Sequence, residues 1–105
     1  MKYDQDNNSK IQMNIGDSLH VILNSNPTTG YDWEISSIDT SVVRISGNQF
    51  ESKKVSRGIV GAGGKRIFYF QANKKGNTTL NFIYHRSFEK NKPPQKTYKL
   101  IIAVE

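Results

Sequence analysis

The chain alternates apolar and polar residues with a period of two along most of its length, and this pattern constrains the fold more than any other feature. Segment 31–36, with the sequence Tyr-Asp-Trp-Glu-Ile-Ser, is the clearest example. Comparable alternation occurs in segments 11–15, 19–23, 67–72, 80–84 and 98–104. Because successive side chains of a β-strand point to opposite faces, each of these segments is predicted to be a partly buried strand.

Helical spacing is scarce, so strands are expected to dominate the fold. Ile35, Ile38 and Val42 form one apolar stripe, but the polar residues among them limit this prediction to one short turn. Residues 42–55 indicate either one bulged strand or a hairpin that turns at Gly47. Together the segments predict an all-β fold, an antiparallel β-sandwich of about seven strands.

The chain contains no internal repeat, no linker and no region whose amino-acid composition differs from the rest. Residues 11–105 are therefore predicted to form a single sandwich domain, and the polar residues 1–10 a flexible N-terminal leader. No segment approaches the length of about 18 apolar residues that a membrane span requires, so no membrane partner is expected. The compartment is left open between the cytoplasm and, after removal of a leader that this chain does not carry, a lysosomal or secretory location.

Composition argues against most catalytic classes. Cysteine is absent, which excludes disulfides, zinc fingers and a cysteine nucleophile. The two histidines have no matching carboxylate cluster, so no metal, no cofactor and no enzymatic activity are predicted. His20 is interpreted as a structural histidine, and His85 as a group that could tune binding below pH about 6.5. Asp32 and Glu34 share one strand face and are interpreted as solvated.

The connection Asn26-Pro27-Thr28-Thr29-Gly30 is more than an ordinary polar turn. Pro27 fixes its own φ and suits the second position of a turn, and Gly30 supplies a conformation that β-branched residues avoid. Two stiff threonines are therefore expected at the apex of a rigid loop. The residues alone allow either a well-formed turn or a shaped binding loop.

Two later connections are also unusual. Segment 57–65 has four glycines in seven residues, which predicts either a flexible surface loop or a backbone that a partner can approach closely. Its glycine spacing matches no common phosphate-binding signature. Segment 85–95 carries Phe88 close to Arg86, a combination typical of an interface anchor, although Phe88 could instead fold back onto the sandwich rim.

Strand parity relates the three connections. Successive strands of a sandwich run in opposite directions, so alternate connections emerge at the same end. If residues 42–55 form one bulged strand, the three unusual connections join strands two to three, four to five and six to seven. They are then predicted to form one composite binding edge.

The three motifs together resemble a known family. Segments 26–31, 61–64 and 86–88 have the order and spacing found in chagasin-type inhibitors of papain-like cysteine peptidases, and the resemblance extends over residues 11–104. Ser87 departs from the pattern, because the family commonly has proline there. The resemblance implies an immunoglobulin-like sandwich whose three loops enter the active-site cleft of a papain-like peptidase, and it implies a monomer in the absence of that partner.

The resemblance also implies roles for individual residues. Thr28 and Thr29, within the loop formed by Asn26, Pro27 and Gly30, would approach the catalytic cysteine and histidine of the peptidase. The backbone of Gly61, Ala62, Gly63 and Gly64 would lie along the non-primed side of the substrate groove. Arg86 and Phe88 would contact the primed side, and Ser87 would loosen that third loop.

A nucleic-acid- or glycan-binding sandwich is the alternative. The formal net charge of +6 and the aromatic content of 10% motivate the nucleic-acid alternative, and the glycan-binding alternative rests on the fold alone, which hosts many functions. The aromatic residues, however, fall mostly at alternating core positions, and the lysines are scattered along the sequence rather than arranged in a stripe. The inhibitor interpretation, with no nucleic-acid partner, is therefore favoured.

Overall fold

The structure is a computed structural model that describes residues 2–26, 29–52, 64–86, 88–89 and 92–105. These residues form seven strands: β1 (Ser9–Met13), β2 (Ser18–Ser25), β3 (Tyr31–Ser37), β4 (Val43–Ser52), β5 (Gly64–Ala72), β6 (Gly76–Arg86) and β7 (Lys96–Val104). Every alternating segment of the sequence contributes to one of them, because alternation provides each strand with one face that can be buried.

The strands form two sheets that pack face to face. One sheet has the order β1-β7-β6-β3 and the other the order β2-β5-β4. All pairs are antiparallel except β1 with β7. The predicted immunoglobulin-like β-sandwich is confirmed. Strand β4 is continuous over Val43–Ser52, with a register shift between Ile45 and Gly47, so the chain forms one bulged strand there and not a hairpin that turns at Gly47. The last part of the predicted segment, 53–55, lies outside the described residues.

The core lies between the sheets and is rich in aromatic rings. Phe82 of β6 is its centre, with ring centroids 4.8 Å from Phe68 and 5.8 Å from Tyr98. These side chains come from strands of both sheets and occupy the inward positions of the alternating pattern. The largest fully buried side chains among the described residues are Phe70, Phe82, Leu23, Leu80, Leu100, Ile102, Val21 and Val43.

The N-terminal segment is more ordered than predicted. Ser9 and Lys10 belong to β1, so the flexible leader predicted over residues 1–10 was too long. The preceding residues include a short 3-10 helix, Asp4–Asp6, and Asp4 accepts a hydrogen bond from the backbone N–H of Asn24 at 3.1 Å. This long-range hydrogen bond attaches the segment to β2, a contact that the composition of the segment alone does not reveal.

The first strand also ends earlier than the alternation suggests. Ile15 was predicted to continue the apolar face of β1, but its side chain is 58% exposed. Asn14 and Asp17 close a turn instead: the Asp17 N–H donates to the Asn14 carbonyl at 2.9 Å, and the Asp17 carboxylate accepts from the Asn14 N–H at 2.9 Å. Local side-chain bonding therefore ends the strand at Met13.

Helical structure is minimal among the described residues. Near residue 40 the chain makes one turn, in which the N–H groups of Val42 and Val43 both donate to the Asp39 carbonyl at 3.1 Å, as the short apolar stripe predicted. In the part of the chain that the structure describes, no helix has the length and apolar character needed to cross a bilayer.

Candidate functional site at the loop end

The strand register brings the three unusual connections to one end of the sandwich. Gly64 pairs with both Ser25 and Ser52, so the β2–β3 and β4–β5 loops leave from neighbouring strand ends. In the other sheet Tyr31 pairs with Arg86, which places the β6–β7 loop beside the β2–β3 loop. The prediction that the three connections leave from one end of the sandwich is confirmed, and that they form a binding edge stays a prediction. We call this end the loop end. It is defined by strand residues 23–25, 31–33, 50–52, 64–66, 84–86 and 96–98 and by the described residues of the connections that leave from them, which are 26, 29–30, 88–89 and 92–95.

The β2–β3 loop is closed by its own hydrogen bonds. The N–H and the hydroxyl of Thr29 both donate to the Asn26 carbonyl, at 3.1 and 2.7 Å. Gly30 has a φ of +87°, a conformation that glycine adopts without steric cost. The N–H of Asn26 donates to the hydroxyl of Tyr84 on β6 at 3.2 Å, which attaches the loop to the opposite sheet. These bonds hold the described loop residues Asn26 and Thr29 in place, whereas Pro27 and Thr28 of the predicted rigid apex lie outside the described residues.

The β6–β7 loop packs directly on the β2–β3 loop at Gly30. A Cβ atom at Gly30 would lie 3.1 and 3.3 Å from two ring carbons of Phe88, so the ring sits where any larger residue would collide. Arg86 adds a polar contact, because its Nε donates to the Thr29 carbonyl at 3.0 Å. The two loops therefore form one contact unit.

Arg86 connects several parts of this unit. Its guanidinium carbon lies 4.5 Å from the centre of the Tyr31 ring, and its Nη1 donates to Glu89 at 3.0 Å. The bond with Glu89 raises the pKa of Arg86, and bonds from Arg86 and then Lys92 lower the pKa of Glu89. With its Nε bonded to one loop, its Nη1 bonded to the other and its guanidinium over Tyr31, Arg86 mainly positions the two loops.

A second polar group joins the two sheets just below the loops. Asp32 of β3 accepts hydrogen bonds from Arg66 of β5 and, at 2.7 Å, from the hydroxyl of Ser25 of β2. Partial burial raises the pKa of Asp32, but the bonds from Arg66, Ser25 and the Trp33 N–H outweigh it, and the pKa is lowered overall. The interpretation of Asp32 as a solvated outer-face residue was wrong, because the residue lies at a sheet edge that the other sheet reaches.

Phe88 is a large exposed apolar residue among the described residues of the loop end. Its side chain is 69% exposed although it contacts Gly30, so the exposed alternative, not the folded-back one, is observed. A cleft of about 290 Å³ lies in the same region. Its lining residues are Tyr31, His85, Arg86, Glu89, Lys92, Pro93, Pro94 and Gln95.

The two histidines have structural partners. Nε2 of His85 lies 2.6 Å from a carboxylate oxygen of Glu34 on the neighbouring strand. The His20 ring packs edge-on against Tyr69 with a centroid distance of 4.8 Å. Among the described residues, no three side chains of the His, Asp and Glu types are grouped closely enough to hold a metal ion.

Comparison with known proteins identifies the family. The model of the chagasin family of peptidase inhibitors, family I42, matches residues 12–102, which is most of the chain. The chain belongs to the chagasin family.

Relatives of known sequence or structure agree with this membership. Amoebiasin-2 from Entamoeba histolytica is 28% identical over 101 residues, which are 94% of this chain and 81% of amoebiasin-2. The crystal structure of the cysteine protease inhibitor EhICP2 from Entamoeba histolytica has the same fold, with a TM-score of 0.90, 24% identity, and coverage of 99% of this chain and 93% of that one. PbICP-C, solved in complex with falcipain-2, shares the fold at a TM-score of 0.71 with 14% identity and full coverage of both chains.

The structure describes some of the predicted site residues of this chagasin-family chain but not others. Asn26, Thr29, Gly30, Arg86 and Phe88 meet at the β2–β3 and β6–β7 loops. Gly64 is the buried first residue of β5 and is paired on both sides, so it lies within the sheet. The predictions for Pro27, Thr28, Gly61, Ala62 and Gly63 fall on positions outside the described residues, and so does that for Ser87.

Sequence reasoning missed the residues that support the loops. Tyr84 bonds to the β2–β3 loop, Glu89 fixes Arg86, and the Asp32–Arg66 pair joins the sheets. Only the proximity of Glu89 to Arg86 in the sequence could have signalled one of these contacts. The others depend on strand pairing between distant segments.

Proposed function

We propose that this protein inhibits papain-like cysteine peptidases reversibly, by inserting the loop end into the active-site cleft. The proposal is supported by membership of a peptidase-inhibitor family and by the fold shared with EhICP2, a cysteine protease inhibitor, and with PbICP-C, which was solved with falcipain-2. The proposal depends most on one observation: the three unusual connections leave from one end of the sandwich, and two of them contact each other.

The mechanism requires no chemistry from the inhibitor. Inhibition by occupation of a cleft needs surface complementarity and rigidity, and the chain has no cysteine and was predicted to have no catalytic constellation. In this proposal Thr28 and Thr29 face the catalytic cysteine and histidine without presenting a peptide bond in the geometry for attack. The backbone of 61–63 follows the non-primed groove, and Phe88 packs on the primed side. Three loops bury on the order of 800 Å² of the inhibitor, which is enough for a stable complex.

Rigidity of the loop end contributes to affinity. Ordering a flexible loop on binding costs roughly 0.5–1.5 kcal/mol for each immobilised side chain. Here the hydroxyl of Thr29 is bonded within its own loop, and Arg86 is bonded to both loops before any partner arrives. A smaller part of this ordering free energy is therefore lost when the protein binds its partner.

The test is inhibition of a papain-like peptidase on a fluorogenic peptide substrate. Stoichiometric protein should abolish turnover, dilution should restore it, and the inhibitor should be recovered uncleaved. Phe88→Ala should weaken inhibition by about tenfold, because Phe88 is an exposed aromatic anchor. Ile15→Ala is the matched control: Ile15 is also a large exposed apolar residue, but it lies outside the loop end.

Two results would reject the proposal. The first is undiminished peptidase activity at stoichiometric inhibitor. The second is an equal loss of inhibition in Phe88→Ala and Ile15→Ala, since that would mean that the loop end has no special role.

A further inference from the structure

Polar side chains replace the apolar core directly beneath the β2–β3 and β4–β5 connections. On the inward face of β2, the buried residue Leu23 is followed by Ser25, which ends the strand. On the inward face of β5, the buried residue Phe68 is preceded by Arg66, near the start of the strand. Asp32, near the start of β3, meets both polar residues from the other sheet. We call Ser25, Asp32 and Arg66 the polar layer.

The carboxylate of Asp32 holds the polar layer together. Nε and Nη2 of Arg66 donate to its two oxygens, Nε at 3.3 Å, so the ion pair is bidentate. The hydroxyl of Ser25, a residue that is only 4% exposed, donates to Oδ1 at 2.7 Å. The N–H of Trp33 donates to the same oxygen at 2.8 Å. One carboxylate therefore connects the end of β2, the start of β3 and the start of β5.

Arg66 extends these connections to β4. Its Nη1 donates to the side-chain oxygen of Asn48 at 3.2 Å, and its guanidinium carbon lies 5.4 Å from the centre of the Phe50 ring. Each of the three guanidinium nitrogens thus has an acceptor. All four strands that border the β2–β3 and β4–β5 connections therefore contribute to one network of side chains.

An ion pair at this place fixes geometry more than it adds stability. Replacing a buried ion pair by apolar residues of similar volume is often neutral or stabilising, and this pair is also partly exposed. Apolar packing is non-directional, whereas a bidentate carboxylate–guanidinium pair fixes both the distance and the angle between the two groups. Asp32 and Arg66 therefore define how the end of one sheet lies against the end of the other.

We propose that Asp32 and Arg66 are positioning residues for inhibition, which align the β2–β3 and β4–β5 connections so that both fit one active-site cleft. This inference rests on the proposed function and adds to it the residues that align these two connections. Arg86 makes the corresponding link between the β2–β3 and β6–β7 loops. Parts of a binding site that are aligned before the partner arrives lose less free energy on binding.

The experiment separates alignment from stability with one double variant. Asp32→Asn/Arg66→Met removes the ion pair and leaves the net charge unchanged. It keeps a side-chain oxygen for Ser25 and for the Trp33 N–H, and most of the arginine volume. Its melting temperature should stay within about 4 °C of the parent. Its inhibition constant for a papain-like peptidase, measured well below the melting temperature, should rise by about tenfold or more.

Thr78→Val is the matched control at the opposite end of the sandwich. Thr78 is a buried residue near the start of β6, and its hydroxyl accepts the Asp39 N–H at 3.0 Å. Its loss leaves a backbone donor without this acceptor, so the melting temperature should fall by about 4 °C or more. The inhibition constant of Thr78→Val should stay within about twofold of the parent, because the loop end is unchanged.

A distance measurement tests the alignment without a peptidase. The chain has no cysteine, so spin labels can be attached at two introduced positions, Glu34→Cys on β3 and Glu51→Cys on β4. Both side chains are exposed, and they belong to different sheets. The distribution of distances between the labels should be broader or shifted in Asp32→Asn/Arg66→Met, and it should be unchanged in Thr78→Val.

Three outcomes would overturn the inference. The double variant could inhibit within about twofold of the parent. It could lose inhibition only together with a large loss of melting temperature, as expected of a purely structural pair. It could also inhibit weakly while its label distances stay those of the parent. Absence of inhibition by the parent would instead reject the proposed function itself, and the distance measurement would still test the alignment.

Discussion

Gly30→Ala is the substitution that probes the loop end most specifically. Gly30 has a φ of +87°, and an L-residue in the left-handed region costs about 1–2 kcal/mol. The new Cβ would also lie 3.1 Å from one Phe88 ring carbon and 3.5 Å from the Cγ of Arg86. Because Phe88 is exposed, its ring can move away, so the collision should displace the ring rather than unfold the protein. We expect unfolding to be easier by about 1–2 kcal/mol and inhibition to weaken by about tenfold.

Gly16→Ala separates the two effects. Gly16 has a φ of +93°, close to that of Gly30, but nothing lies within 4 Å of the position of its Cβ. It is in the β1–β2 turn at the opposite end of the sandwich. Gly16→Ala should therefore lose a similar amount of stability, measured by urea unfolding, while its inhibition constant stays within about twofold of the parent.

The comparison can refute the reasoning directly. If Gly30→Ala and Gly16→Ala lost the same stability and inhibited the peptidase equally well, the packing of Phe88 on Gly30 would have no part in binding. If Gly30→Ala lost inhibition with no loss of stability, the argument from its backbone conformation would be wrong.

Two further substitutions test the side-chain interactions that hold the strand ends and loops together. Asp32→Asn should lower the free energy of unfolding by about 1 kcal/mol at pH 7, after allowance for the partial exposure of the ion pair with Arg66. Because the pKa of Asp32 is lowered in the folded state, its ionised form stabilises the protein above pH about 4, and this contribution is lost as the pH falls further. The free energy of unfolding of Asp32→Asn, measured in urea, should therefore vary less with pH in that acidic range than the free energy of the parent. Arg86→Lys keeps the charge but cannot bond to the Thr29 carbonyl and to Glu89 while stacking on Tyr31, so the inhibition constant should rise by about three- to tenfold. Unchanged acid sensitivity in the first variant, or unchanged inhibition in the second, would contradict the roles given to these side chains.

The strands of this protein were predictable because period-two alternation is a local property. The segment at 31–36 became β3 with Trp33 buried, and the break near Gly47 became a bulge in one continuous strand. Ile15 was predicted wrongly, because the hydrogen bonds between Asn14 and Asp17 favour a turn over one more residue of strand.

The loop cluster could be inferred from strand parity, but its internal supports could not. The Asp32–Arg66 pair and the bond between Tyr84 and Asn26 join segments that are far apart in sequence, and their contact depends on which strands become neighbours.

Amide hydrogen exchange of the protein, with and without a bound papain-like peptidase, tests the central claim most directly. Every amide can be followed, including those of loop residues. The account predicts that exchange slows in segments 23–33, 50–66 and 84–98 and stays unchanged in the turns near Gly16 and near Lys74. Protection of those turns, or of the outer face of one sheet, with no change at the loop end would contradict it.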